Sequence, residues 1–380
     1  MPTTIDILTF KGDYSRTLRG SWKLETGIKT SSVESDNDMS LRIGTVDEPL
    51  LDPALSNHFQ YLEQINAVYI NLSGKVNKKI EAQVGLRAEH THSIARSLNL
   101  DQKVVRDFLN LFPSLFLSNH ISENHSLSFS YGHRIDRPNY QNLNPARSYL
   151  DPYTFSRGNP FLKPQYTHSL EFKHGYKQKI FTSTGANYVS DFMFFLVQPV
   201  DNRSTERIPE NIGTLQAYYL TISFPITVNK NWNFQANILG NYSRLQYLFQ
   251  GNPLTMEQVS GRFNGTNSIL LGKGWSAEVL GWVSTPSVMA YFYSPWLGAL
   301  DAGIQKSFAT SWRAKLSVQD LLHTNRIIAD GRAPGFSQDI KISFDSRIAM
   351  LNISYSFRNQ QLKSSRQRKM ASEEEMQRAN

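Results

Sequence analysis

Cysteine is absent from the 380 residues, which excludes disulfide frameworks and thiolate metal sites. No stretch is long and apolar enough for a membrane-spanning helix, and the mean hydropathy is negative. That argues against a helical membrane protein. It leaves a strand-built one open, because barrel strands alternate lipid-facing and lumen-facing residues and average out polar. The opening residues Met1–Asp6 contain neither a basic region nor an apolar core, so no secretory signal is legible there. A nucleophile elbow, a phosphate-cradling glycine loop and a zincin helix are also missing. No enzyme and no cofactor are therefore expected. The net charge of +8 could suggest nucleic acid. However, the clearest basic cluster, Lys363, Arg366, Arg368 and Lys369, sits in a C-terminal tail, and no nucleic-acid motif accompanies it.

Aromatic residues are abundant, with 17 tyrosines and 22 phenylalanines, and these favour strands. The dominant hydropathy period is two. Tyr218, Leu220, Ile222, Phe224, Ile226 and Val228 share one face of their segment. Trp232, Phe234, Ala236, Ile238 and Tyr242 oppose Asn233, Gln235, Asn237, Asn241 and Ser243. Leu127, Phe129 and Tyr131 alternate with serines, as do Leu351, Ile353, Tyr355 and Phe357 with Asn352, Ser354 and Ser356. One face meets an apolar phase and the other meets water.

Strand length separates a membrane barrel from a soluble sandwich. The arms from about Arg207 to Val228 and from Trp232 to about Tyr247 exceed the roughly 9–11 residues a tilted strand needs to cross a bilayer. Short turns are expected at Gly12–Gly20, Gly74–Lys79, Ser122–Asn124, Lys177–Lys179, Asn229–Asn231, Gly272–Gly274 and Ala309–Ser311. Long links are expected at 31–58, 91–108, 136–165, 199–206, 248–255 and 322–340. Short turns on one rim and long loops on the other mark outer-membrane barrels, with the long loops outside the cell. Trp22, Trp232, Trp275 and Trp312 each open a strand after a short turn, where an indole suits a membrane interface. The fold expected is an all-β, antiparallel transmembrane barrel of about fifteen strands over residues 1–358. Residues 359–380 form a polar tail, expected on the periplasmic, short-turn side, with a capping box at Ser372–Glu375.

Glu89, His90 and His92 suggest a metal cluster, but at period two Glu89 points away from the two histidines, and a solvated rim is the plainer reading. Asp13, Asp320 and His323 do not make a persuasive catalytic set. The segment 131–165 is the most distinctive, with prolines pinning a loop too long for a simple connector. Its Arg137, Tyr140, Tyr153, Phe155 and Arg157 are candidates for an extracellular ligand mouth. The plainer alternative is a self-packed loop folded across the rim.

This loop carries Arg-Pro-Asn-Tyr, Leu-Asn-Pro, Leu-Asp-Pro-Tyr and Gly-Asn-Pro-Phe-Leu-Lys-Pro elements. With Gln83–Glu89, Ser317–Asp320 and the closing strand at Phe357, it resembles the TonB-dependent-receptor-like outer-membrane barrels common in Bacteroidetes. The resemblance implies the outer membrane of a Gram-negative cell and a lipid-embedded barrel of about twenty-two strands when complete. It also implies an N-terminal plug and uptake of a nutrient energised through the TonB complex. The expected chain departs from that pattern, because it shows no plug and an odd strand count where bacterial barrels are even. It is expected to be the C-terminal part of a larger barrel. The rival readings are a structural or adhesin barrel without transport, and a soluble β-rich enzyme or lectin.

Overall fold

Alternating apolar and polar residues, with β-branched and aromatic side chains on one face, build strands that hydrogen-bond in sequence order. The computed structural model describes residues 3–44, 49–52, 56–201, 203–249, 251–308, 311–333, 336–356 and 370–379. Its main sheet has seventeen strands, two of which are the short loop segments Ser148–Asp151 and Thr154–Ser156. The other fifteen form one antiparallel meander. The first half comprises β1 (Thr3–Thr17), β2 (Lys23–Met39), β3 (Asn57–Lys75), β4 (Ile80–Ser97), β5 (Gln102–His120), β6 (His125–Asp136) and β7 (Gln165–Tyr176). The second comprises β8 (Ile180–Pro199), β9 (Thr205–Asn229), β10 (Trp232–Phe249), β11 (Asn252–Gly272), β12 (Trp275–Ser284), β13 (Leu297–Phe308), β14 (Trp312–Val318) and β15 (Ala349–Tyr355). Many run to 17–25 residues, well beyond the 3–10 usual in soluble sheets.

The two faces differ. On the outward face Ile28, Val68, Ile70, Val84, Leu86 and Leu109 are 44–66% exposed. They abut across strands, with Ile28 opposite Val68 and Ile70 opposite Leu86. The same band continues through Leu220, Ile238, Ile304, Leu316 and Leu351. A water-soluble sheet does not leave so large a contiguous apolar surface bare; hydrocarbon is its natural solvent. On the inward face every second residue of β2, β3 and β4 is buried in its long-loop half, including Val33, Phe59, Tyr61, Glu63, Glu89 and Thr91.

Several connections are shorter than the hydropathy pattern suggests. β1 runs on through Gly12, which pairs with Ile28, so the first turn is only 18–22. The 91–108 link shrinks to 98–101 and the 248–255 link to 250–251. Beyond the membrane, polar residues such as His92, Ser93 and Gln258 stay in the ladder, because backbone pairing persists where side-chain alternation no longer reports it. The link after β14 carries its own hairpin, Arg326–Ala333 with Phe336–Ser343. Trp232, Trp275 and Trp312 are the first residues of their strands and 38–50% exposed. Trp22 immediately precedes β2 and packs over Gly74.

Among the described residues, neither β1 nor β15 has a strand on its outer side: β1 pairs only with β2, and β15 only with β14. The sheet is an open ring with its gap between these two strands.

Candidate functional site

The site lies on the inward wall, where the long loop between β6 and β7 turns into the ring. Its 3-10 turn Tyr140–Leu143 drops Tyr140 and Leu143 onto Val33, Phe59, Tyr61, Ala95 and Leu162 to form one buried cluster. The loop is fastened at several points. Gly158 and Asn159 donate their backbone N–H groups to Asn144 O (2.8 Å) and Asn142 O (2.7 Å). Arg106 of β5 donates to Pro160 O at 2.9 Å. Asn211 of β9 accepts from Lys163 N (2.7 Å) and donates to Lys163 O (3.0 Å). Gly158 is required at this point, because a Cβ there would lie 2.5 Å from Asn144 O and 2.7 Å from Asn142 C. The prolines and glycine that made the loop conspicuous thus serve a folded-in plate.

The five candidate mouth residues separate. Arg137 is buried and donates to Glu89 (2.7 Å) and Thr91 (3.1 Å) of β4. Tyr140 is buried, its ring 5.6 Å from that of Tyr61. Phe155 is buried against Tyr149, with the Arg147 guanidinium 4.7 Å above its ring. Tyr153 is 57% exposed. Arg157 makes a two-pronged bond to Glu206 of β9, at 2.6 and 3.2 Å. Tyr140 and Arg157, with Asn37, Asn142, Asn144 and Arg207, line a cavity of about 590 Å³ between the loop and β1, β2, β3, β8 and β9. Among the described residues no carboxylate lines it. Its amide and guanidinium lining can donate and accept several hydrogen bonds to a polar, neutral or anionic guest.

His90 and His92 face outward and share Asp107, at 3.0 and 2.9 Å, while Glu89 faces inward to Arg137 and Arg87. Among the described residues no group of three potential ligands is placed to hold a metal ion. Asp13 and Asp320 serve separate roles. Asp13 accepts from Tyr69 at 2.5 Å. Asp320 ties down the loop after β14, accepting from Thr324 N (2.8 Å), Asn325 N (3.0 Å) and Ser346 Oγ (2.6 Å). Burial pushes its carboxyl up, but the hydrogen bonds from Ser346, Thr324 and Asn325 outweigh that and hold it at about 2.

Sequence reasoning missed one part of the wall, the inward charges Lys29 and Glu63. Both are buried, and both face a C-terminal helix, α1 (Glu373–Ala379). Arg378 of α1 grips Glu63 through two bonds, at 2.5 and 3.1 Å, and also donates to Pro138 O at 3.1 Å. Glu375 lies 2.8 Å from Lys29. The tail was expected on the short-turn side with a capping box. Instead α1 sits on the inward wall beside the long loop, and the Ser372 hydroxyl donates to the Met376 sulfur. Glu375 is turned to Lys29 and is 1% exposed. Buried opposite charges attract far more strongly than solvated ones, and pairing across more than 300 residues leaves no local sequence signal. The basic cluster Lys363–Lys369 lies outside the described residues.

The sequence pattern of the outer membrane protein beta-barrel family matches residues 1–355. The chain belongs to that family. It is therefore an outer-membrane barrel. Three similar solved structures are the copper transporter OprC, the FrpB iron transporter from Neisseria meningitidis and the ferric-catecholate import receptor Fiu from E. coli. OprC is 17% identical, with a TM-score of 0.66 and coverage of 93% of this chain and 57% of its own. FrpB is 14% identical, with a TM-score of 0.63 and coverage of 93% and 56%. Fiu is 11% identical, with a TM-score of 0.62 and coverage of 93% and 55%. At these identities the likeness is one of fold. This outer-membrane barrel spans a little over half the length of each. No curated protein sequence matches it.

Proposed function

We propose that this barrel takes up or receives a nutrient at the outer membrane of a Bacteroidetes-type Gram-negative cell, as the wall of a larger TonB-dependent-receptor-like assembly. The observation that carries the reading is the folded-in loop 137–164, which places inside the ring a cavity of about 590 Å³ lined by amide and guanidinium groups together with Ile5, Phe59 and Phe195. An adhesin needs its loops projecting outward, whereas a receptor needs a guest held within reach of the lumen. The carboxylate-free lining suits a guest rich in hydrogen-bonding groups and neutral or anionic, such as an oligosaccharide or an anionic metal chelate. The open edges at β1 and β15 would leave backbone groups unpaired in hydrocarbon, at several kcal/mol each. Further strands therefore complete the ring, and a plug coupled to the TonB complex supplies the energy.

The test compares a gene deletion with its complemented strain for uptake of a ferric catecholate, a cupric chelate and a maltoheptaose-sized oligosaccharide. Loss of uptake of one of them, restored by wild type but not by Asn142→Ala/Asn144→Ala, supports the reading. Unchanged uptake of all three with reduced attachment to surfaces would establish the adhesin alternative.

A further inference from the structure

Charge is divided unevenly between the two rims. By sequence the seven short turns, 18–22, 76–79, 121–124, 177–179, 230–231, 273–274 and 309–311, hold seven lysines and arginines against one carboxylate, Glu123. The links at the opposite rim, 40–56, 98–101, 137–164, 200–204, 250–251, 285–296 and 319–348, hold ten charges of each sign. All seven short-turn cations are exposed, and among the described residues none is within ion-pair distance of a carboxylate. Lys75, the last residue of β3, shows the contrast, since it pairs with Glu81 at 3.6 Å. The turns are also fastened to one another. Lys177 N donates to Asn124 O (2.7 Å), His120 N to Lys79 O (2.9 Å), Leu270 N to Asn231 O (2.7 Å) and Ser307 N to Gly274 O (2.8 Å).

These cations sit at the edge of the lipid-facing band. Lys179 adjoins Ile180, while Lys230 and Lys273 follow Val228 and Leu271 by two residues, and all three apolar side chains are exposed. At about 3.4 Å per residue the lysines start within about 7 Å of the band, inside a screening length of about 8 Å at physiological ionic strength. Girdle aromatics hold their stems. Lys177 Nζ lies 5.3 Å from the Tyr176 ring. Lys306, opposite Trp275 on the outward face, lies 4.9 Å from that indole and donates to Lys273 O at 2.6 Å. A lysine whose stem rests on apolar surface and whose head has no carboxylate is placed for a lipid phosphate. Short turns of such barrels face the periplasm. We propose that the short-turn rim is a cationic collar that binds acidic phospholipids, of the phosphatidylglycerol and cardiolipin class, in the periplasmic leaflet. Continuity identifies the occupant. The collar extends a surface that already meets hydrocarbon, so the phosphate layer of that leaflet is the first anion within its reach. Bound there, the headgroups fix the depth of the ring in the bilayer, whether or not the barrel transports anything.

Trp22, Trp232, Trp275 and Trp312, four of the six tryptophans, stand at this rim, so intrinsic fluorescence reports the lipid beside it. The purified full chain in maltoside micelles is titrated with phosphatidylglycerol or phosphatidylcholine carrying the same brominated acyl chains. Phosphatidylglycerol should reach half-maximal quenching at about a fivefold lower mole fraction. At about 1 M salt, where charges are screened within about 3 Å, the two lipids should quench alike. Lys78→Gln/Lys79→Gln/Lys177→Gln/Lys179→Gln and, separately, Lys230→Gln/Lys273→Gln/Lys306→Gln should each cut the preference by about half or more. Arg203→Gln/Arg326→Gln/Lys341→Gln/Arg347→Gln, which strips the same charge as the first variant from the long links, should leave the preference unchanged. The β-sheet circular dichroism should stay constant throughout, and two independent turn variants guard against one simply misfolding. Equal quenching by the two lipids in the parent overturns the collar. So does a preference that survives both turn variants, or one lost equally in the long-link variant.

Discussion

Ile238 and Asn237 are adjacent in β10, at the same depth, and on opposite faces. Ile238 is 42% exposed and lies between Ile222 and Phe263 on the outward band. Asn237 lies between Ser223 and Asn264 on the inward face. Counting from Trp232 at the short-turn rim, six residues at about 3.4 Å and a tilt near 45° place Ile238 about 14 Å into the bilayer, close to the midplane of a band about 25 Å tall. Arginine on the lipid face at that depth costs about 2–4 kcal/mol. At 1.4 kcal/mol per factor of ten, Ile238→Arg should lower the folded-to-unfolded ratio by roughly thirty- to several-hundred-fold. Asn237→Arg places its guanidinium in a polar interior and should change the ratio less than about threefold. The assay is a denaturant titration of the full chain in thin-bilayer vesicles, comparing midpoints at equal slope. Equal loss from both variants would refute the assignment of faces, and with it the membrane reading of the sheet.

Other consequences follow from the fastened loops and the open edges. Gly158→Ala drives a Cβ against the backbone of Asn142 and Asn144; it should destabilise loop 137–164 by about 1–3 kcal/mol, read as faster protease cleavage within the loop. Asp320 contributes through a lowered pKa, so its tie on the loop after β14 is full at neutral pH and is lost as pH falls from about 4 through about 2. Protection from hydrogen exchange at Thr324 and Asn325, taken relative to the intrinsic rate at each pH, should fall over that window, and Asp320→Asn should abolish that fall. Cysteines at Leu150 and Leu322, 73% and 61% exposed on long-loop segments, should label from outside intact cells, while one at Lys177 should label only after permeabilisation. In the full chain alone, amide exchange in β1 and β15, each with one unpaired edge among the described residues, should be faster than in β10, which is flanked on both sides; equal protection would show that the ring closes unaided.

Period-two alternation and strand length were legible along the chain because each is a local consequence of one face meeting lipid. They settle the fold class, the meander and its fifteen strands, and the proline-rich loop advertised itself by composition. The sequence also placed His90 and His92 opposite Glu89, since period two dictates faces without tertiary information. Strand ends were less visible. Thr91, His92 and Ser93 pair through backbone groups common to every residue, so polarity there says loop where the ladder continues. The site itself was decided by tertiary structure. Arg137 and Tyr140 fit either a ligand mouth or a self-packed loop in sequence; folded, both are buried under the loop and Tyr140 also lines the cavity, because burial depends on what lies across the lumen. Glu63 and Lys29 look like ordinary inward polar positions until Arg378 and Glu375 arrive from the far end of the chain. Alternation tells each residue which way to face; only closure of the sheet toward a ring brings the facing residues together.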